Sequence, residues 1–349
     1  MNPPVIPIEV AALAFCISLL GAWVVRPVLE GLGVLDRPNA RSSHARSTVR
    51  GGGIAIVAAV CLSAGLLIRP GSPARIEEIL GAAAVLAAVS LVDDVRSLPA
   101  LVRLGWQFAA ASAGLLALAG ASLHGGLLPG QGSEVARALA GLLGLIWVVG
   151  YANAFNFMDG INGIAAGQAL LSSLGMAGVA LGAGGRWTSA PILLCLAVAG
   201  AAGGFLPHNF PRARMFMGDV GSAPLGFLLA ILVLWLAKDL GGWLLAPLVL
   251  LHANFVLDTA ITLVRRALRG ERWYEAHREH FYQRFIRSGR SHSWVTLWEM
   301  GIECGAIFVV WATFRGSTGV RWGAAAVVLA AWLGFFLVAE AGFRRSLRA

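Results

Sequence analysis

Long apolar runs separated by short polar segments make up most of this chain. A transmembrane helix needs about 20 predominantly apolar residues, and eleven runs approach that length. They lie at 5–25, 51–68, 76–92, 104–123, 136–152, 163–183, 190–206, 221–237, 243–264, 294–313 and 322–342. The pattern predicts an all-α polytopic membrane protein with about eleven transmembrane helices, in which residues 1–349 form one integral-membrane domain.

The composition excludes an ordinary soluble domain. Of the 349 residues, 58% are hydrophobic and 13% are charged, whereas soluble domains carry roughly 25% charged residues. The first apolar run has neither a basic segment before it nor a small-residue cleavage site, so we interpret it as a retained span.

The basic residues predict the orientation. If successive connections alternate between the two sides, 20 of the 27 lysines and arginines fall on one side, in segments 26–50, 93–103, 207–218, 265–293 and 344–348. The positive-inside rule then places these segments in the cytoplasm and the N-terminus outside, with the C-terminus cytoplasmic. In such a protein the +9 net charge sets orientation, and we expect contact with membrane lipid and none with nucleic acid.

A polar stretch interrupts two apolar runs at residues 153–163. It contains Asn153, Asn156, Asp159 and Asn162. Amides and carboxylates are costly in hydrocarbon unless they have partners. We therefore expect this stretch at a membrane surface, where chemistry on a lipid-linked substrate would occur.

Two further acidic motifs end or begin apolar runs. Asp93 and Asp94 close one run, and adjacent carboxylates can share a divalent cation, or one can hold the metal while the other takes a proton. Asp219, flanked by glycines, opens another run and could face a metal-bound diphosphate together with helix N–H groups. The alternatives are solvated interfacial acids at 93–94 and a helix cap from Asp219 or Ser222.

The longest basic loop, residues 265–293, contains His277, Arg278, His280, Gln283 and Arg284. On a helix, the two histidines and Arg284 share one face with Gln283 close by. Two histidines without a third ligand favour phosphate contact over metal binding. A basic loop held against anionic lipid is the alternative.

The first basic loop supplies Arg41, His44 and Arg50, which would suit a lipid phosphate at the interface. Three glycines at 51–53 follow and permit close approach of backbone to ligand. The alternative is a loop that only sets topology. Because all these segments fall on the cytoplasmic side of the predicted topology, the pattern indicates an enzyme with a cytosolic substrate.

These motifs, in this order, resemble those of the polyprenyl-phosphate N-acetylhexosamine-1-phosphate transferase family, which includes the phospho-N-acetylmuramoyl-pentapeptide translocases. The resemblance extends from about Asp36 to Arg284 and rests chiefly on segments 153–163 and 216–222. The two basic loops resemble the branch that initiates O-antigen or related glycans. Asn162 stands where many members carry an aspartate.

The resemblance implies transfer of a sugar-1-phosphate from a UDP-N-acetylamino sugar (UDP-GlcNAc, UDP-FucNAc or UDP-QuiNAc) to undecaprenyl phosphate, with release of UMP. It implies Mg²⁺ or Mn²⁺ held by Asp219 and Asp94, and catalytic roles for Asp93, Asp94 and Asp159. The implied substrate contacts are Asn153, Asn156, Asn162, His277, Arg278, His280, Gln283, Arg41, His44 and Arg50.

The family also implies the bacterial inner membrane as location and a homodimer as an assembly. Three alternatives remain at this point: a transporter or flippase of lipid-linked sugars, the pentapeptide translocase branch, and a phosphatidyltransferase-like enzyme. A transporter would carry polar groups deep in its spans. Glu299 and Glu303 are such groups, and we expect them either to pair with interfacial arginines or to line an interior.

Overall fold

The computed structural model describes residues 7–36, 47–67, 76–120, 133–272 and 277–348. Arg41 and His44 lie outside these ranges. The described residues form thirteen α-helices, a 3-10 turn at Gly242–Leu244 and three short strands. The helices are α1 Pro7–Gly31, α2 Gly53–Leu67, α3 Ile76–Arg96, α4 Ala100–Ala119, α5 Glu134–Met158, α6 Ile164–Gly182, α7 Ala190–Asn209, α8 Asp219–Leu240, α9 Leu245–Leu250, α10 Ala253–Leu268, α11 Phe281–Arg287, α12 His292–Thr313 and α13 Thr318–Ser346.

In the part of the chain that the structure describes, a helix or helix pair lies in each of the eleven predicted apolar runs. Within the described ranges, eight helices are long and apolar enough to cross a membrane. A ninth span results if Gly242–Leu250 and Ala253–Leu268, bent by 74°, act as one. The helical, multi-pass membrane architecture is thus confirmed, while the number eleven and the orientation stay predictions.

Helix α8 lies at the centre of the bundle. Every residue of its most apolar stretch is buried. The helix contacts α2, α3, α4, α5, α6 and α7. A membrane helix that is hydrophobic on all sides can face either lipid or protein, so the burial of α8 comes from the helices packed around it. The N-terminus of this central helix is where the acidic motifs meet.

Two glycines bring α2 and α8 into contact at that end. A Cβ atom on Gly53 would lie 2.2 Å from Gly221 Cα, so neither position accepts a side chain. The sequence predicted that glycines 51–53 permit close approach of backbone to a ligand; the structure shows Gly53 in close approach to the backbone of α8.

Three short strands, absent from the predicted all-α fold, fix the connection beside α8. They are β1 Leu35–Asp36, β2 Thr48–Arg50 and β3 Met215–Phe216. Strand β2 pairs antiparallel with β1 and parallel with β3. Strands of two or three residues are too short to give a period-two pattern. The pairing places Arg50 directly beside the segment that leads into α8.

Candidate active site

The carboxylate of Asp94 caps α8 from another helix. Asp94 Oδ1 accepts a hydrogen bond from the Asp219 N–H (3.1 Å) and Oδ2 accepts one from the Val220 N–H (3.0 Å). These are among the N–H groups that a helix start leaves without partners. The side-chain caps considered for Asp219 and Ser222 are not formed, since the N-cap residue is Gly218.

Two arginines join the carboxylates at this point. The Arg50 guanidinium lies 2.8 Å from Asp94 Oδ1 and 2.7 Å from Asp219 Oδ1. Burial lowers the pKa of Arg50, but the negative charges of Asp219 and Asp94 outweigh it, so the pKa rises. Arg103, which the sequence did not single out, lies 3.1 Å from Asp93 Oδ2 and 3.6 Å from Asp219 Oδ2.

The adjacent Asp93 and Asp94 face different partners. Asp93 Oδ1 accepts a hydrogen bond from the Leu98 N–H (2.6 Å), so this carboxylate holds the connection between α3 and α4. Asp94 instead contacts the start of α8. Neighbouring residues on a helix point about 100° apart, which explains why the pair does not share one partner.

Asp159 joins the same cluster from the end of α5. Burial raises the pKa of Asp159 to about 7, the negative charge of Asp219 raises it further, and the positive charge of Arg50 opposes the rise. Among the described residues no side chain forms an ion pair with it. Three aspartates from three distant segments therefore share one electrostatic environment.

The three amides of segment 153–163 reach three different places. Asn156 Nδ2 donates to Ser222 Oγ (2.8 Å), which joins α5 to the first turn of α8. Asn153 Nδ2 donates to Gln107 Oε1 (2.6 Å) on α4. Asn162 Nδ2 donates to the Pro211 carbonyl (3.1 Å). Of the three, the structure ties only Asn156 to the helix that carries Asp219.

The turn after Asp159 is covered by a tyrosine from α11. A Cβ atom on Gly160 would lie 2.0 Å from the Tyr282 hydroxyl oxygen. That hydroxyl donates to the Phe157 carbonyl (3.0 Å). The histidine segment is thereby docked against the turn that carries Asp159.

The prediction of a helix with His277, His280 and Arg284 on one face is wrong. Helix α11 begins at Phe281, and His280 is its N-cap. The buried Asp258 of α10 fixes this boundary, because its carboxylate accepts hydrogen bonds from the Phe281 N–H (2.9 Å) and from His280 Nδ1 (2.9 Å). Arg284 turns away to Glu340 Oε2 (2.6 Å).

The residues predicted to contact the donor therefore divide into two groups. His280 and Gln283 are buried, and Gln283 Oε1 accepts from the His280 N–H (3.3 Å), so both stabilise the start of α11. His277 and Arg278 are half-buried. Within the described part of the chain, His277 Nδ1 is a buried atom without a hydrogen-bond partner.

The pKa of His277 is lowered to about 4. Burial is the main cause, and the positive charges of His280 and Arg266 add to it. Its ring stacks on His280 with 4.9 Å between centroids. At neutral pH the His277 imidazole is therefore uncharged and can accept a hydrogen bond.

Sequence reasoning missed Arg103 and Asp258 and assigned no partner to Glu340. Asp258 and Glu340 each stand inside a predicted span, and an ionisable residue there is a signal of function or of a structural partner. Arg103 follows the Asp93–Asp94 motif by about ten residues, but only the fold shows that it turns back to it.

The cluster has the donor chemistry of a magnesium site. Mg²⁺ in proteins is usually held by one or two carboxylates together with substrate phosphates. Asp94 and Asp219 supply such carboxylates, and Arg50 bridges them in this structure. In the described ranges, no three His, Cys, Asp or Glu side chains form a group that could hold a metal ion, so substrate oxygens would have to complete the coordination.

Comparison with known proteins agrees with this geometry. A family model described as glycosyl transferase family 4 matches residues 77–237. The decaprenyl-phosphate N-acetylglucosaminephosphotransferase of Mycobacterium tuberculosis is 32% identical, over 91% of this chain and 86% of that protein. The probable undecaprenyl-phosphate N-acetylglucosaminyl 1-phosphate transferase of Bacillus subtilis is 29% identical, over 80% of this chain and 78% of its own length.

The translocase branch also matches, over less of the chain. The phospho-N-acetylmuramoyl-pentapeptide-transferase of Lactiplantibacillus plantarum is 34% identical over 48% of this chain and 50% of its own length. The residues matched by the family model include Asp94, Asp159 and Asp219. The chain thus belongs to glycosyl transferase family 4, among the polyprenyl-phosphate N-acetylhexosamine-1-phosphate transferases, and is a sugar-phosphate transferase.

Proposed function

We propose that the protein transfers an N-acetylamino-sugar 1-phosphate from its UDP derivative to undecaprenyl phosphate and releases UMP. The observation that carries this proposal is the meeting of Asp94, Asp159, Asp219 and Arg50 at one end of an apolar bundle. A lipid phosphate at the membrane surface and a soluble nucleotide can both reach such an end.

The names of the relatives favour UDP-GlcNAc as donor, because those with the broadest matches are N-acetylglucosamine phosphotransferases. The product would begin a cell-envelope glycan, of which O-antigen is one example. The proposed location is the cytoplasmic face of a bacterial inner membrane, with the N-terminus outside.

The reaction joins two phosphates, so repulsion between negative charges is its main obstacle. An oxygen of the lipid phosphate attacks the β-phosphorus of the nucleotide sugar. A new P–O–P bond forms, and the bond between the β-phosphorus and the oxygen bridging to UMP breaks. Arg50 and Arg103 carry fixed positive charge toward the place where these phosphates would lie.

A divalent cation, held by Asp219 and Asp94, would supply further neutralisation of the diphosphate when bound. The lipid phosphate needs little help from a base, since the second pKa of a phosphate monoester is about 6. Asp93 is bonded to Leu98 and Arg103, so we assign it to positioning Arg103. Asn156 positions the first turn of α8 through Ser222.

A donor panel tests the proposal. Purified protein with undecaprenyl phosphate and magnesium would receive UDP-GlcNAc, UDP-GalNAc, UDP-FucNAc, UDP-QuiNAc or the UDP-linked muramoyl pentapeptide, each in a separate reaction. We expect UMP release with one of the first four donors and its loss in Asp219→Asn. Release that continues in EDTA would contradict the metal role, and release with the pentapeptide donor alone would move the protein to the translocase branch.

A further inference from the structure

A second polar site lies inside the bundle, behind the turn that follows Asp159. A cavity of about 10 Å³ is enclosed between α6, α10 and α12. Its polar lining consists of Gln168, Asn254, Thr296 and Glu299, none of which is more than 4% exposed. A cavity of this volume has room for about one water-sized particle.

One N–H donor of each lining amide, and the Thr296 hydroxyl, bonds to an acceptor in the protein. Gln168 Nε2 donates to the Leu251 carbonyl (3.0 Å), and Asn254 Nδ2 donates to Gln168 Oε1 (2.9 Å). Thr296 Oγ1 donates to the Asn162 carbonyl (2.8 Å). Each amide nitrogen carries a second N–H, but the lining atoms that have no hydrogen-bond partner among the described residues are oxygens, which favour an occupant that donates hydrogen bonds or carries positive charge.

Two of the lining oxygens lack any partner. Within the described residues, Asn254 Oδ1 and Glu299 Oε2 are buried without a hydrogen bond. Buried polar atoms in folded proteins are nearly always paired, with protein, water or an ion. An unpaired amide oxygen and an unpaired carboxylate oxygen at one small cavity therefore indicate a missing ligand.

The charge at this place is also uncompensated. Glu303 lies one helical turn beyond Glu299, and both of its carboxylate oxygens lack partners among the described residues. The charged groups near Glu299 are Asp258 and Glu303, which are both acidic. In the described ranges no lysine or arginine offsets them. The two glutamates thus line an interior and do not pair with interfacial arginines.

We propose that this cavity binds one monovalent cation, Na⁺ or K⁺, through oxygens of Glu299, Asn254, Thr296 and Gln168. A single carboxylate lines the cavity, so one positive charge neutralises the lining. The ion links α6, α10 and α12. Because Thr296 also holds the Asn162 carbonyl, the ion stabilises the base of the turn that carries Asp159.

This site does not depend on the proposed transferase substrates, so it can be tested without them. Purified protein in EDTA would be incubated with ²²Na⁺ or with ⁸⁶Rb⁺, a substitute for K⁺. We expect about one saturably bound ion per chain for one of the two isotopes, competed by the unlabelled ion and not by N-methylglucamine. Absence of saturable binding of both isotopes to the native protein would overturn the proposal.

Variants then locate the site. Glu299→Gln keeps the size of the side chain and removes its charge, and we expect at least a tenfold loss of ion affinity. Glu134→Gln, at the exposed start of α5, is the matched control and should bind like the native protein. If Glu299→Gln does not fold, Asn254→Ser provides the same test. Native affinity in the folded variant would contradict the assignment.

Discussion

Gly218 allows the Asp94 carboxylate to reach the start of α8. Its φ is 75° and its ψ is 171°, a region that is essentially restricted to glycine. A Cβ atom there would lie 2.6 Å from Asp94 Oδ2 and 3.1 Å from the Gly51 nitrogen. Gly218→Ala should therefore strain the backbone and displace the carboxylate.

Two contributions set the size of the effect. An alanine in this conformation costs about 1–3 kcal/mol. Each hydrogen bond from Asp219 N–H or Val220 N–H to the charged Asp94 is worth about 1.5–3 kcal/mol. Since these terms overlap, we expect a loss of about 3–5 kcal/mol in the free energy of unfolding. If displacement of the carboxylate raises the activation free energy of transfer by about 2 kcal/mol, the rate of UMP release falls roughly 30-fold.

Thermal unfolding and UMP release by Gly218→Ala would be measured beside Gly184→Ala. Gly184 also has a positive φ, 97°, but no atom lies within 4 Å of a Cβ built there. This control carries the backbone strain without the clash, so its activity should stay native. Native stability and activity in Gly218→Ala would refute the role assigned to the Asp94 cap.

Three further predictions concern the groups around the site. Asp258→Asn should weaken the start of α11 without unfolding the bundle, so hydrogen exchange would rise at residues 277–287 and stay unchanged in α8; equal increases in both would contradict this. Because the pKa of His277 is lowered to about 4 from an ordinary value near 6.5, the unfolded chain binds more protons between these values. The native protein should lose thermal stability relative to His277→Asn as pH falls from about 6.5 to 4. Parallel curves of melting temperature against pH for the two proteins would contradict a buried, neutral imidazole. Arg103→Ala should reduce kcat for UMP release about tenfold or more, and Arg103→Lys should have an intermediate kcat. The control Arg137→Ala, outside the site, should keep the native kcat. A native kcat in Arg103→Ala would show that the charge of Arg103 is not used.

Some of the site residues could be identified from the sequence, and others could not. Asp94, Asp159 and Asp219 could be selected because carboxylates at the ends of apolar runs are costly without partners. The helix predicted through His277 failed because Asp258, remote in sequence, takes the N–H groups that start α11 at Phe281. Local spacing contains no information about a cap supplied from another helix.

The hydrophobic pattern was sufficient to predict the helical membrane architecture, since spans of about 20 apolar residues have few other stable forms in lipid. Three contacts follow from the packing of the helices alone: Asp94 caps α8 from 125 positions away, Arg50 bridges two carboxylates, and Glu299 faces a closed cavity. These contacts depend on how helices pack and turn against each other, and helical periodicity does not specify the neighbour that each face meets.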